Sequence, residues 1–172
     1  DRLLKAVDRI SEAALGPGDL DTFLRSLLAE ARDSTESVDT AAILLREGDM
    51  LRVRAAVGLE HELERQYSLT IPQGFAGHIG AAREPIFTRD AAIDPRVISP
   101  AIREKGVRAL YGVPLMREGK VMGVAHIGSL RAHEFSEEDK LLFRTIASRA
   151  ASVVVKSQIL ADLRRAESAQ RF

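Results

Sequence analysis

Two short polar turns, each set between runs of apolar residues, constrain this chain more than anything else in it. The first, Glu47-Gly48-Asp49, follows the apolar stretch Thr40 to Arg46 and precedes Leu51, Val53, Ala55 and Val57, which alternate with Arg52, Arg54 and Ala56. The second, Arg117-Glu118-Gly119-Lys120, joins two β-rich runs, Val107 to Met116 and Val121 to Gly128, as a four-residue loop. Apolar runs flanking a tight polar turn are the signature of a β-hairpin. Strands joined in this way pair antiparallel, so the sheet of this protein is expected to be antiparallel.

Helices bracket that sheet in the sequence. Leu3, Val7, Ile10 and Ala14 recur at helical spacing before Gly16-Pro17-Gly18 stops the run. Asp19 or Asp21 can cap a second helix with Phe23, Leu24, Leu27, Leu28 and Ala31 as its apolar stripe. Charges at helical spacing cover Glu60 to Tyr67, a short strand is expected over Ser68 to Ile71, and another over Ile86 to Thr88. Asp90 to Gly106 reads as irregular, with at most one short helix. Ser136-Glu137-Glu138-Asp139 opens a last helix, since Ser followed three positions later by an acid resembles a capping box and carboxylates suit the positive end of the dipole. Nothing interrupts that helix before about residue 170, a length of about 52 Å. A domain of this size is about 40 Å across, so the helix is expected to overhang.

Composition narrows the chemistry. The 172 residues suffice for one domain, and 45% hydrophobic with 29% charged residues is the make-up of a globular protein. Lys and Arg number 25 against 25 Asp and Glu, which gives no general basic surface for nucleic acid. No apolar run is long enough to span a bilayer and no signal peptide opens the chain, so a cytoplasmic location without membrane insertion is expected. With no Cys, the chain has no disulfide, thiolate nucleophile, zinc–cysteine site or thioether-linked chromophore. It starts at Asp1 and stops inside helical-looking sequence, so it reads as an excerpt of something longer.

Motifs for catalysis or metal binding fail on inspection. His61-Glu62-Leu63-Glu64-Arg65 begins like a zinc-protease signature but has Arg65 in place of the second His. Gly119-Lys120 is followed by Val121, not the Ser or Thr of a phosphate loop. Gly74, Gly77 and Gly80 at a helix entrance either bind an anion or permit a sharp turn and close packing. No two of His61, His78, His126 and His133 stand three or four apart, and no metal site is assigned. His126 stands in an otherwise apolar strand beside Met122 and Val124 by period two. It is either a neutral core imidazole or a ligand contact, with a haem ligand disfavoured. Arg108 is either solvated or meets an anionic ligand.

The order of elements and three motifs resemble a GAF domain. They are Ile71-Pro72-Gln73-Gly74-Phe75-Ala76-Gly77-His78-Ile79, then Glu84-Pro85-Ile86-Phe87-Thr88-Arg89-Asp90 with Asp94-Pro95-Arg96, and Gly112-Val113-Pro114-Leu115 with Val121-Met122-Gly123-Val124. The similarity is greatest to GAF domains of bacterial sensor histidine kinases. The resemblance implies an α+β, profilin- or PAS-like fold: a central antiparallel sheet of five or six strands, terminal helices on one face and a ligand-pocket segment on the other. It divides the chain into a linking helix at 1–18, the GAF domain at 19–155 and a signalling-helix extension at 156–172. It also implies a non-enzymatic sensory module, or alternatively a structural dimerisation module with no ligand. Cyclic-nucleotide members carry a motif beginning Asn-Lys, which a chain without Asn lacks, and the GAF-like sulfoxide reductases use Cys.

Phe75, His78, Phe87, Arg108, Tyr111 and His126 are the candidate ligand contacts, because the irregular segment and the central strands are the expected pocket walls. The ligand and any cofactor are unknown. Leu3, Val7 and Ile10, with Leu142, Ile146, Val153 and Leu160, form apolar seams that a second copy of the chain would cover in a homodimer, next to neighbouring signalling domains.

Overall fold

Both turns form, and each is tighter than its sequence suggests. Glu47 pairs with Met50 and Arg117 with Lys120, so each loop has two residues, not three or four. In the second, Glu118 and Gly119 both take positive φ, 49° and 78°, which is the backbone that matches the twist of a two-residue hairpin.

The structure, a computed structural model, describes residues 19–170. The elements in chain order are α1 (Asp19–Asp33), β1 (Thr40–Glu47), β2 (Met50–Val57), α2 (Glu60–Glu64), β3 (Ser68–Thr70), α3 (Gly74–Ala82), β4 (Ile86–Thr88), α4 (Pro100–Lys105), β5 (Ala109–Arg117), β6 (Lys120–Ser129) and α5 (Glu137–Gln170). The strands make one six-stranded antiparallel sheet in the order β3-β2-β1-β6-β5-β4. Helices α1 and α5 cover one face, and the segment from α2 to α4 covers the other.

Two bulges change which side chains share a face. Ile43 pairs with Ala55 but Leu44 with Val53, so Arg54 is an extra residue in β2. Leu51 and Val53 therefore face the α3 side while Ala55 and Val57 face α1, although simple alternation would put all four together. The freed Arg54 reaches Asp21 of α1 at 2.9 Å. Met122 is the extra residue of β6, and it points to the α5 side instead of joining Val124 and His126.

Helix α5 starts as the capping signal predicts, with the Asp139 amide donating to Ser136 Oγ at 3.1 Å. The Asp139 carboxylate is instead taken by the Ser37 hydroxyl at 3.0 Å, which ties the helix to the loop before β1. Phe143, Ile146, Ala147, Ala150, Val153 and Val154 bury against the sheet at steps of three and four. From Lys156 on no described residue is buried, and that part of α5 extends about 22 Å.

This geometry corrects part of the expected dimer seam. Ile146 and Val153 are 1% and 2% exposed because the stripe that carries them is the one packed on the domain's own sheet, so neither is open to a partner. Leu142 is half-buried against the same cluster, and Leu160 is half-exposed. Leu3, Val7 and Ile10 lie outside the described residues. The large apolar residues that α5 does expose are Leu141, Ile159 and Leu163.

Candidate functional site

Strand parity separates the candidate ligand contacts. Gly112 pairs with His126 and Tyr111 with Ile127, and neighbouring residues of a strand point to opposite faces. His126 thus faces α3, whereas Tyr111 faces α5, where its ring lies 6.1 Å from Phe143 and its hydroxyl accepts from Arg144 at 3.1 Å. Phe87, paired with Tyr111, is on the α5 side too, edge-on to Phe135. Both are core residues of the helix layer. Arg108 donates twice to Asp90, at 2.8 and 2.7 Å, bracing the loop after β4 and holding the Asp90 carboxyl below its usual range. His78 is on the exposed side of α3 with Nδ1 2.6 Å from the Gly74 carbonyl. Of the six, Phe75 and His126 come together, their rings edge-to-face at 6.3 Å.

They meet at a small cavity under the irregular segment. His126 fits there because its neighbours across the sheet are small, Ala42 on one side and Gly112 on the other. A Cβ on Gly112 would lie 2.5 Å from Ile79 Cδ1, so that glycine is what lets α3 close over the strands. Gly77 makes room for the loop that enters α3, where a Cβ would lie 2.8 Å from the Pro72 carbonyl carbon. Close packing, the plainer of the two readings of these glycines, therefore has a geometric basis. Leu44, Leu69 and Phe75 form the apolar floor and wall, and Val97, Ile98 and Ile102 form the cover. With the cover in place the cavity is about 10 Å³, room for a single water.

Polar groups at the cavity come from α2 and the entry to α4, and sequence reasoning missed them. Glu62 is 2% exposed: one carboxylate oxygen, Oε2, accepts from the Ser99 hydroxyl, and the other, Oε1, has no hydrogen-bond partner among the described residues. Ser99 also caps α4, accepting from the Ile102 amide at 3.3 Å with Pro100 in the first turn. His126, 3% exposed, likewise leaves Nδ1 without a partner. Tyr67 completes the polar side.

Burial governs the electrostatics. It raises the Glu62 carboxyl above its ordinary value despite the Ser99 hydrogen bond, and it lowers His126 to about 4. Tyr67 is pushed up to about 12 by its own burial and by the charge of Glu62. At pH 7 the imidazole is neutral. Among the described residues neither Lys nor Arg lines the cavity. Arg103 donates to the Val97 carbonyl at 2.6 Å, and Arg96, 5.9 Å over the Phe75 ring, is held by Asp94 at 3.0 and 2.7 Å, with Asp94 drawn down to about 2. The pair braces the loop above Phe75.

Among the described residues this site holds no nucleophile relay. The Ser99 hydroxyl donates to Glu62 rather than to an imidazole, and among the described residues no three His, Asp or Glu side chains cluster as a metal site would require. One signal for this site was legible. Ser99-Pro100 is a helix start by composition, and Glu62 stands three residues after the apolar Leu59, on the face α2 buries.

Comparison with known proteins agrees with this architecture. The GAF domain from a phosphoenolpyruvate-protein phosphotransferase of Coxiella burnetii superposes with a TM-score of 0.76 at 21% identity, covering 93% of this chain and 96% of that one. Residues 122 to 287 of a methyl-accepting chemotaxis protein superpose at 0.72 with 22% identity, covering 90% and 98%. A type II free methionine-R-sulfoxide reductase from Thermoplasma acidophilum superposes at 0.64 with 21% identity, covering 80% and 96%. At these identities the likeness is one of fold. A search of curated proteins finds no significant match. The family model for the GAF domain matches residues 18–155, and the chain belongs to that family.

Proposed function

We propose that this chain is a non-enzymatic sensory and regulatory module of a bacterial, cytoplasmic signal-transduction protein, of the sensor histidine kinase kind that its motifs resemble. Its GAF domain, 19–155, binds a small molecule, and the flanking segments 1–18 and 156–172 pass the consequence to neighbouring domains in a homodimer. One observation carries the reading: two side chains more than nine-tenths buried, Glu62 and His126, line one cavity, and each has a polar atom without a partner among the described residues. A core built for packing alone satisfies or omits such atoms, because each costs about 1–3 kcal/mol. A ligand that pairs with them recovers that cost. It acts on the helices by binding one arrangement of the cover more tightly than another.

A second reading, a structural dimerisation module without a ligand, is favoured by the volume of about 10 Å³ that remains under the closed cover. The two differ in whether residues 97 to 102 move. Hydrogen exchange of that segment, with and without small-molecule extract of the host cell, separates them. Protection on addition of extract supports the sensor, and unchanged exchange supports the structural module. For the homodimer the available seam is Ile159 and Leu163, one helical turn apart and exposed, with Leu160 beside them. No helix described here is long and apolar enough to cross a membrane.

A further inference from the structure

We propose that the ligand of this cavity is an organic cation: an apolar body bearing a protonated amine or amidinium that donates to Glu62 Oε1 and His126 Nδ1. The inference rests on the sensor reading and names the class of molecule it senses. Both unpartnered atoms are able to accept. A carboxylate oxygen accepts, and the neutral imidazole accepts at Nδ1 in the tautomer that carries its proton on Nε2. Ser99 already gives its proton to Oε2 and receives the Ile102 amide, and Tyr67 brings the other hydroxyl of the lining, so Glu62 Oε1 is open to a donor from a ligand.

Charge points the same way. An anionic ligand would face Glu62 with no Lys or Arg among the described lining residues to offset it; Arg96 outside is engaged by Asp94, and Arg103 is turned to the Ala92 and Val97 carbonyls. A cationic head stabilises the ionised form of a carboxyl that burial otherwise opposes. The apolar body is required by Leu44, Leu69 and Phe75 on the inner side and by Val97, Ile98 and Ile102 on the cover. Because the cavity has room for a single water only, such a ligand enters by lifting the 97–102 segment, and its N–H group donates to Glu62 Oε1 while Ser99, carried on that segment, leaves Oε2.

Three molecules of nearly one shape test this: benzamidine as cation, benzamide as neutral isostere and benzoate as anion. Binding is followed by amide chemical-shift changes in the 172-residue chain, read at Ala76, Val97 and His126. The expected result is that benzamidine binds there at least about tenfold more tightly than benzamide, with benzoate weakest. In Glu62→Gln the preference for benzamidine over benzamide disappears, and a circular dichroism spectrum shows that the variant is folded. If benzamide or benzoate binds the cavity as well as benzamidine does in the wild type, the cation assignment is overturned while the sensor reading stands. If none of the three perturbs those residues, the cavity does not open to a ligand of this size and both fall.

Discussion

Between pH 7 and pH 5, above the range in which the paired Asp90 and Asp94 take up protons, acidification should weaken this fold through His126. Burial holds its folded-state pKa at about 4 against the ordinary 6.5, so between those values the unfolded chain binds a proton that the folded one does not. The stability that neutral His126 confers is complete above the unfolded value and is lost as pH falls through that window. Between pH 7 and pH 5 the loss works out at about 2 kcal/mol, from the ratio of the two binding polynomials. Glu62 acts in the opposite sense: its raised carboxyl favours folding at low pH and loses that contribution as pH rises. The comparison is therefore made in a Glu62→Gln background, with urea unfolding at both pH values for His126 and for His126→Gln. The difference between the two pH dependences should be about 2 kcal/mol, at unchanged m. Parallel pH dependences would show that the imidazole is not held neutral by burial, and the account of the cavity would lose its electrostatic basis.

Other outcomes follow from the same contacts. Glu62→Gln should raise stability at pH 8, because the folded wild type must there ionise a buried carboxyl or keep its proton; a lower urea midpoint for the variant would contradict this. Gly112→Ala should cost about 1–3 kcal/mol by driving a Cβ into Ile79, and Ile79→Val should recover part of it; a neutral Gly112→Ala would refute the packing argument. Phe143→Ala should cost about 3–5 kcal/mol, since its ring is 2% exposed beneath α5, and a loss below 1 kcal/mol would be inconsistent with that packing. In sedimentation, Ile159→Asp with Leu163→Asp should give a folded monomer from a dimer, whereas Val153→Asp should unfold the domain. A wild type that is monomeric at about 50 µM, far above a micromolar Kd, would end the dimer proposal.

The architecture was legible because it rests on local chemistry. Polar turns between apolar runs gave both hairpins, and Ser136 with three acids gave the start of α5. Which side chains share a face was not legible where a bulge intervenes, because Arg54 and Met122 look like ordinary strand residues until their partners across the sheet are known. The candidate contacts divide between two layers for a related reason. Tyr111 and Phe87 were grouped with His126 by position along the chain, yet parity sends them to the opposite layer. Arg108 was read as solvated or bound to an anion, and Asp90 is its anion. Glu62 was hidden in a charged run, Glu60 to Arg65, whose members are otherwise half-exposed or exposed; only the packing of α2 against β2 turns this one carboxylate inward.

The central claim, that the buried Glu62 and His126 serve a bound molecule, is tested most directly by native mass spectrometry of the chain purified from its own host. The account predicts a stoichiometric adduct of a small basic molecule, lost in Glu62→Gln while the protein remains folded. A chain that leaves its host without any adduct, and whose mass and folding are indifferent to Glu62→Gln and His126→Gln, would contradict it.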